Sequence, residues 1–148
     1  MMSQTSISYA KKQQDKARNN MNKLMKALKK SHKKTKELNK AHTKLLNNAK
    51  YSLTAAKSAE MVCMRVYKNN MRNVSNTRNA NMKFKTCLNN AKRLSKVAKQ
   101  DVSKFATIVN QLRNHMIIVN ISMMKTNVQR ELVQRLSQNV RRLTKKIV

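Results

Sequence analysis

Apolar and small residues recur along the first half of the chain at alternating steps of three and four. The series is Met21, Leu24, Leu28, Ser31, Thr35, Leu38, His42, Leu45, Ala49, Ser52, Ala56, Ala59, Cys63 and Val66. Lysines fall on the opposite side of a helix drawn with this spacing. Such heptad spacing predicts one long amphipathic helix over about residues 20–68.

A similar pattern recurs in the second half of the chain. Its apolar positions are Phe84, Leu88, Ala91, Ala98, Val102, Phe105, Val109, Leu112, Met116, Val119 and Met123. They predict a second helix over about residues 82–124. The intervening residues 69–81 are rich in Asn, which tolerates left-handed backbone and caps helices well. We therefore expect residues 69–81 to connect the two helices, with Asn79 or Asn81 capping the second.

The last part of the chain carries its own start signal. Thr126-Asn127-Val128-Gln129 fits the capping-box pattern, in which a Thr and a Gln three residues later satisfy backbone N–H groups. It precedes an amphipathic stripe: Val128, Leu132, Leu136, Val140, Leu143 and Ile147. We expect a C-terminal helix over about 127–147, which either continues the second helix or folds back as a third.

Composition supports a helical fold. The chain has no Gly and no Pro, the residues that tight turns and helix stops usually use. The predicted class is all-α, either a long antiparallel helical hairpin or a three-helix bundle, as one basic unit spanning residues 1–148. Mean hydropathy is low, at −0.72, and the net charge is high, so we expect the free protein to be partly disordered.

Charge is the feature that bears most on function. The 148 residues include 34 Lys and Arg against 5 Asp and Glu, a net charge of +29. Self-repulsion on this scale opposes a compact state unless an anion neutralises it. Duplex DNA carries one charge per ~1.7 Å, so 29 charges would neutralise about 50 Å of it. This balance predicts a partner that is a polyanion, DNA or RNA, bound through its phosphates.

Two groups of basic residues are the predicted nucleic-acid contacts. One lies in the first helix and the other in the C-terminal segment: Lys23, Lys26, Lys29, Lys30, Lys33, Lys34, Lys36, Lys40, Lys44, Arg130, Arg135, Arg141, Arg142, Lys145 and Lys146. Aromatic residues are 3% of the chain, too few for a base-stacking platform. No sequence-reading motif is present, so we expect binding that does not depend on base sequence.

Other classes of site find little support. The five acids are scattered singly, the three His lie far apart, and no metal-ligand spacing occurs, so we expect no catalytic site, no metal and no cofactor. The apolar stretch from Phe105 to Met124 is interrupted by polar residues and Arg113, which argues against a membrane span. It is a candidate for the core or for a contact between copies of the chain.

Charge balance alone is similar to that of chromatin-condensing proteins such as sperm nuclear basic proteins and linker histones. That resemblance covers no motif, and the chain departs from it in its few Arg clusters, absence of Pro and patterned apolar face. It implies a DNA-packaging protein in the nucleus, and the Lys29–Lys36 run fits a nuclear localisation signal. The alternatives are a structural RNA-binding protein of a ribosome or mitochondrial ribosome, and a coiled-coil protein on an acidic partner.

The two cysteines test the proposed hairpin. With a turn centred on Ser75, Cys63 and Cys87 are equidistant from it and lie side by side. A disulfide needs Cα atoms about 4.4–6.8 Å apart, closer than most facing residues of two helices. We therefore predict that the two thiols are neighbours, and leave open whether they are reduced or bonded.

Overall fold

A computed structural model of the protein describes the backbone of residues 2–72 and 77–147 and the side chains of residues 4–72 and 78–146. Every described residue is helical, in α1 (Met2–Arg72) and α2 (Thr77–Ile147), of 71 residues each. The two helices pack against each other. The prediction of an all-α fold with two long paired helices is confirmed, and the three-helix alternative is not supported.

The seam predicted for α1 coincides with its least exposed positions. Each residue of the predicted series is buried or half-buried. The same three-four spacing continues toward the N-terminus through Ile7, Ala10, Gln14 and Ala17, and it ends at Asn70. The helix therefore begins well before residue 20, where the sequence pattern was weakest, because these residues still pack against α2.

The seam of α2 differs from the prediction. Four of the expected core residues, Leu88, Val102, Met116 and Met123, are between 37% and 43% exposed. The seam lies one residue earlier at each of these places, and its buried or half-buried members include Cys87, Asp101, His115 and Ser122. Less apolar side chains thus occupy the seam, because the packing of the whole helix against α1 fixes which face turns inward.

Two predicted boundaries are corrected. The Asn-rich stretch 69–81 is not all connection, since residues 69–72 end α1 and 77–81 begin α2. Ser75, the predicted turn centre, lies outside the described residues, as do Asn73 and Asn76. The C-terminal segment 127–147 continues the second helix as the last part of α2, which is one of the two expected arrangements. Thr126 is only 2% exposed, and its hydroxyl donates to the Ser122 carbonyl oxygen rather than capping a helix.

The chain forms two compact units, which we call the central unit (Leu38–Leu112) and the terminal unit (Met1–Glu37 with Arg113–Val148). In the central unit α1 and α2 run antiparallel. Cys63 and Cys87 are joined by a disulfide with Cα atoms 5.5 Å apart. They pack in a cluster with Ala59, Ala91 and Leu94. Because the neighbouring layer is built from alanines, the helices approach closely enough for this bond.

Polar and aromatic side chains of α1 and α2 also pair along the rest of the central unit. The Asn70 amide donates to the Ala80 carbonyl oxygen at 2.6 Å, and the Ser52 hydroxyl donates to the Asp101 carboxylate. The rings of His42 and Phe105 lie 5.1 Å apart, and those of Tyr67 and Phe84 5.6 Å apart. Each pair joins residues about equally far from position 75.

The terminal unit repeats this antiparallel pairing with polar layers. His115, which is 5% exposed, places Nε2 2.8 Å from the Ser31 carbonyl oxygen and 3.0 Å from Thr35 Oγ1. A carbonyl oxygen only accepts, so Nε2 carries the hydrogen that points to Ser31. The Gln129 amide donates to the Ala17 carbonyl oxygen at 2.9 Å. These bonds specify one register, because a shifted helix would leave buried polar groups unpaired.

Candidate nucleic-acid interface

Both units carry a large positive excess. The terminal unit holds 19 Lys and Arg residues against 3 acids, and the central unit 15 against 2. One of the central unit's acids, Asp101, is half-buried in the seam and accepts the Ser52 hydroxyl. The positive charge on the surface of each unit is therefore largely uncompensated by acidic side chains.

The densest basic surface lies on α1 of the terminal unit. We call it the lysine face: Lys23, Lys26, Lys29, Lys30, Lys33 and Lys36. All six are exposed, and their spacing sets them on the side of α1 turned away from its seam. With His32, five of them line a shallow open groove along the helix. No acid occurs between Asp15 and Glu37, so nothing on this part of α1 neutralises them.

The lysine face has a charge density that can be compared with that of DNA. From Lys23 to Lys36 the helix advances about 20 Å, at ~1.5 Å per residue. Six lysines therefore occupy a length over which duplex DNA carries about twelve phosphates. Lys34, also exposed, lies in the same interval near the edge of the seam. The six lysines can thus match up to about half of all the phosphates on that length of duplex.

The remaining predicted contacts are exposed but lie elsewhere. The C-terminal group, Arg130, Arg135, Arg141, Arg142, Lys145 and Lys146, follows α2 alongside residues 4–20 of α1 in the antiparallel register. Its neighbours on α1 include Lys11, Lys12, Lys16 and Arg18, which the sequence analysis did not single out. Lys40 and Lys44 are exposed in the central unit. Within the terminal unit the predicted contacts therefore lie on both helices, the lysine face on α1 and the C-terminal group on α2.

Three side chains of types that serve catalysis or metal binding in other proteins are used in packing here. His115 and Asp101 serve the seam, and His42 packs on Phe105. Over residues 4–72 and 78–146 no three His, Cys, Asp or Glu side chains cluster as metal ligands do. Neither helix, over its described range, has a segment apolar enough to cross a membrane.

The sequence indicated one further surface only in part, within a stretch that is a candidate for the core or for a contact between copies of the chain. In the terminal unit the outward side of α2 exposes apolar residues, among them Ile117, Ile121, Met124 and Val128. They belong in part to the stretch Phe105–Met124, which the structure divides. Phe105, Ile108 and Val119 are buried or half-buried in the seam, while the residues just named face outward. The signal was available as a second three-four spacing beside the first.

Comparison of the chain with protein-family models, curated proteins and solved structures finds no match.

Proposed function

We propose that this protein is a non-catalytic, nuclear DNA-packaging protein that binds duplex DNA through its phosphates without reading base sequence. The observation that carries the proposal is the lysine face: six exposed lysines on one side of α1, with no acid among them. Lysine is a hydrated point charge on a flexible stem, which suits it to phosphates that need no fixed geometry. The net charge of +29 extends this attraction beyond the face itself.

The paired helices favour contact with the sugar-phosphate backbone over entry into a groove. A helix with side chains is about 10–12 Å across, close to the ~12 Å width of the major groove. Two helices packed ~8–10 Å apart cannot both enter one groove. The lysine face therefore lies against the phosphate ridges, where contacts position a protein but carry no sequence information.

Base stacking plays no part in this proposal. A surface that binds single strands needs aromatic rings among its basic residues. Of the tyrosines, only Tyr9 belongs to the terminal unit, and no Phe, Tyr or Trp occurs between Lys23 and Lys36. Duplexes are therefore the expected substrate. RNA presents phosphates as well, so the binding test also compares DNA with a duplex RNA.

The salt dependence of affinity tests the proposal. Fluorescence anisotropy would measure binding to two unrelated DNA duplexes of ~15 base pairs, the length that matches the protein's charge. With at least six phosphates engaged, the slope of log K against log salt should be about −5 or steeper. The two duplexes should bind within ~3-fold of each other.

Three results would overturn it. A slope near zero would mean that phosphates are not the contacts. A preference of ~100-fold for one duplex would mean that bases are read. A duplex RNA of equal length binding ~100-fold tighter than DNA would move the function to RNA. Pull-down from lysate with and without nuclease would then show whether the cellular partner is nucleic acid or an acidic protein.

A further inference from the structure

The outward side of α2 in the terminal unit carries a second apolar stripe, which we call the outer stripe. Its members are Ile117, Ile121, Met124 and Val128, which are between 48% and 68% exposed. They follow one another at steps of four, three and four, the spacing of a coiled-coil seam. The stripe is distinct from the inward seam through His115, Val119 and Ser122.

The outer stripe is wide enough to be a binding surface. Ile118 and Leu132 flank it on one side and are 55% and 39% exposed. Six exposed apolar side chains thus lie on one side of the helix within residues 117–132. A patch on the order of 300–600 Å² on a monomer usually marks an interaction site.

The absence of charged residues from this segment indicates which partner can bind the outer stripe. Residues 114–124 contain no Lys, Arg, Asp or Glu, in a chain where such residues make up 26% of the total. An anionic partner would gain nothing from this segment and would be drawn to the lysine face instead. A second copy of a protein with net charge +29 is ordinarily repelled, and a charge-free segment is where that repulsion is weakest.

The register of the stripe also suits self-association. In an antiparallel pairing about a two-fold axis between Ser122 and Met123, Ile117 of one copy meets Val128 of the other and Ile121 meets Met124. The same register sets Arg113 opposite Leu132 and Lys125 opposite Asn120, so like charges do not face each other within residues 113–132. A parallel pairing would set Lys125 against Lys125.

The lysine faces lie on the far sides of such a pair. Each is on α1, with the inward seam and α2 between it and the outer stripe. With helices ~8–10 Å apart, three helix spacings separate the two faces by roughly 25 Å or more. This exceeds the ~8 Å Debye length at physiological salt, so the two faces barely repel each other.

We propose that the outer stripe pairs two copies of the protein back to back, and that the pair bridges two DNA duplexes through its two lysine faces. The bridging step rests on the proposed function; the pairing does not. A patch of this size lies at the weak end of protein interfaces, so the dissociation constant should be roughly micromolar. A pair that binds two duplexes would hold separate duplexes together. A monomer that only neutralises phosphate charge would not.

A stripe variant tests the pairing in the absence of DNA. It carries Ile117→Gln, Ile121→Gln, Met124→Gln and Val128→Gln. The matched control carries four exposed apolar residues of the central unit replaced in the same way: Met61→Gln, Val62→Gln, Met64→Gln and Met71→Gln. Sedimentation equilibrium in high salt, which screens repulsion, should show dimers for the wild type and the control and monomers for the stripe variant. A wild type that stays monomeric at ~100 µM would overturn the pairing.

A two-duplex assay tests the bridge. An immobilised duplex should retain a second, fluorescent duplex with the wild type and the control, and at least ~10-fold less with the stripe variant. The affinity of the stripe variant for a single duplex should be unchanged. If dimers form but no protein binds DNA, the proposed function fails and the pairing stands. If dimers bind DNA without retaining the second duplex, the bridge is wrong. Stripe-dependent binding to uncharged lipid vesicles without dimers would assign the stripe to a membrane surface instead.

Discussion

Reducing the bond between Cys63 and Cys87 should destabilise the central unit by a predictable amount. The two residues are 24 positions apart, so the bond closes a loop of about that length in the unfolded chain. The chain-entropy relation for a loop of ~25 residues gives ~12 cal/mol/K, or about 3.5 kcal/mol at 25 °C. Reduction restores this entropy to the unfolded state and leaves the folded contacts almost as they are.

Urea unfolding of oxidised and reduced protein, followed by far-UV circular dichroism, measures the effect. With an m value near ~2 kcal/mol/M, the loss of about 3.5 kcal/mol should lower the midpoint by roughly 2 M. A Cys63→Ala, Cys87→Ala variant is the matched control. It should unfold near the reduced midpoint and should not respond to reductant.

Two outcomes would refute this reasoning. Mass mapping of the non-reduced protein should find an intramolecular Cys63–Cys87 link, and a link only between different molecules would contradict the antiparallel register about position 75. If the link is intramolecular but reduction moves the midpoint by less than ~0.5 M, the loop is constrained in the unfolded state by something other than the bond.

Three further predictions concern the surface and the seam. Replacing five residues of the lysine face with Gln should make the salt slope of DNA binding shallower by about 4.5 units, at ~0.9 per phosphate contact. An equal loss with a control that lacks five lysines elsewhere would show that total charge matters and the face does not. The variant is Lys26→Gln, Lys29→Gln, Lys30→Gln, Lys33→Gln and Lys36→Gln, and the control is Lys83→Gln, Lys85→Gln, Lys92→Gln, Lys96→Gln and Lys99→Gln. In urea unfolding, Ser52→Ala should lower the free energy of unfolding by about 1–2 kcal/mol, because the Asp101 carboxylate loses its hydrogen-bond donor. The double variant Ser52→Ala, Asp101→Leu should restore or exceed the wild-type value, because no unpaired carboxylate is left in the seam. Adding DNA or heparin at low salt should raise the helicity measured by circular dichroism, because a polyanion relieves the repulsion that comes with a net charge of +29. Full helicity without a polyanion would contradict the expected partial disorder.

Sequence reasoning recovered the seam of α1 from about residue 20 onward, and α2 only in outline. In α1 the three-four spacing of apolar and small residues identifies the seam positions. In α2 apolar residues occur on the outward side as well as at the seam, and the chain gives no local sign of which side faces α1. The more hydrophobic choice, such as Met116 over His115, was wrong because hydrogen bonds to Ser31 and Thr35 compensate the buried ring.

Local signals for helix ends were also misleading here. Asn disfavours a helix interior by well under 1 kcal/mol per residue relative to Ala, which packing along a long seam easily overcomes. The capping-box pattern at Thr126 failed for the same reason, since the next turn of α2 still had α1 to pack against. The basic residues could be chosen from sequence, but not their grouping, which depends on the register of the two helices.

The symmetry of the register about position 75 limits how the length of this chain can change. Within the central unit, removing one residue from α1 between Ser52 and Cys63 would rotate the preceding part of the helix by about 100° and take Ser52 away from Asp101. Removing seven keeps the rotation nearly unchanged but sets each layer against the wrong partner. Only deletions or insertions of whole heptads at matching places in both helices preserve the pairs. Natural variants of this protein should therefore differ in length by multiples of about fourteen residues, or outside the paired region.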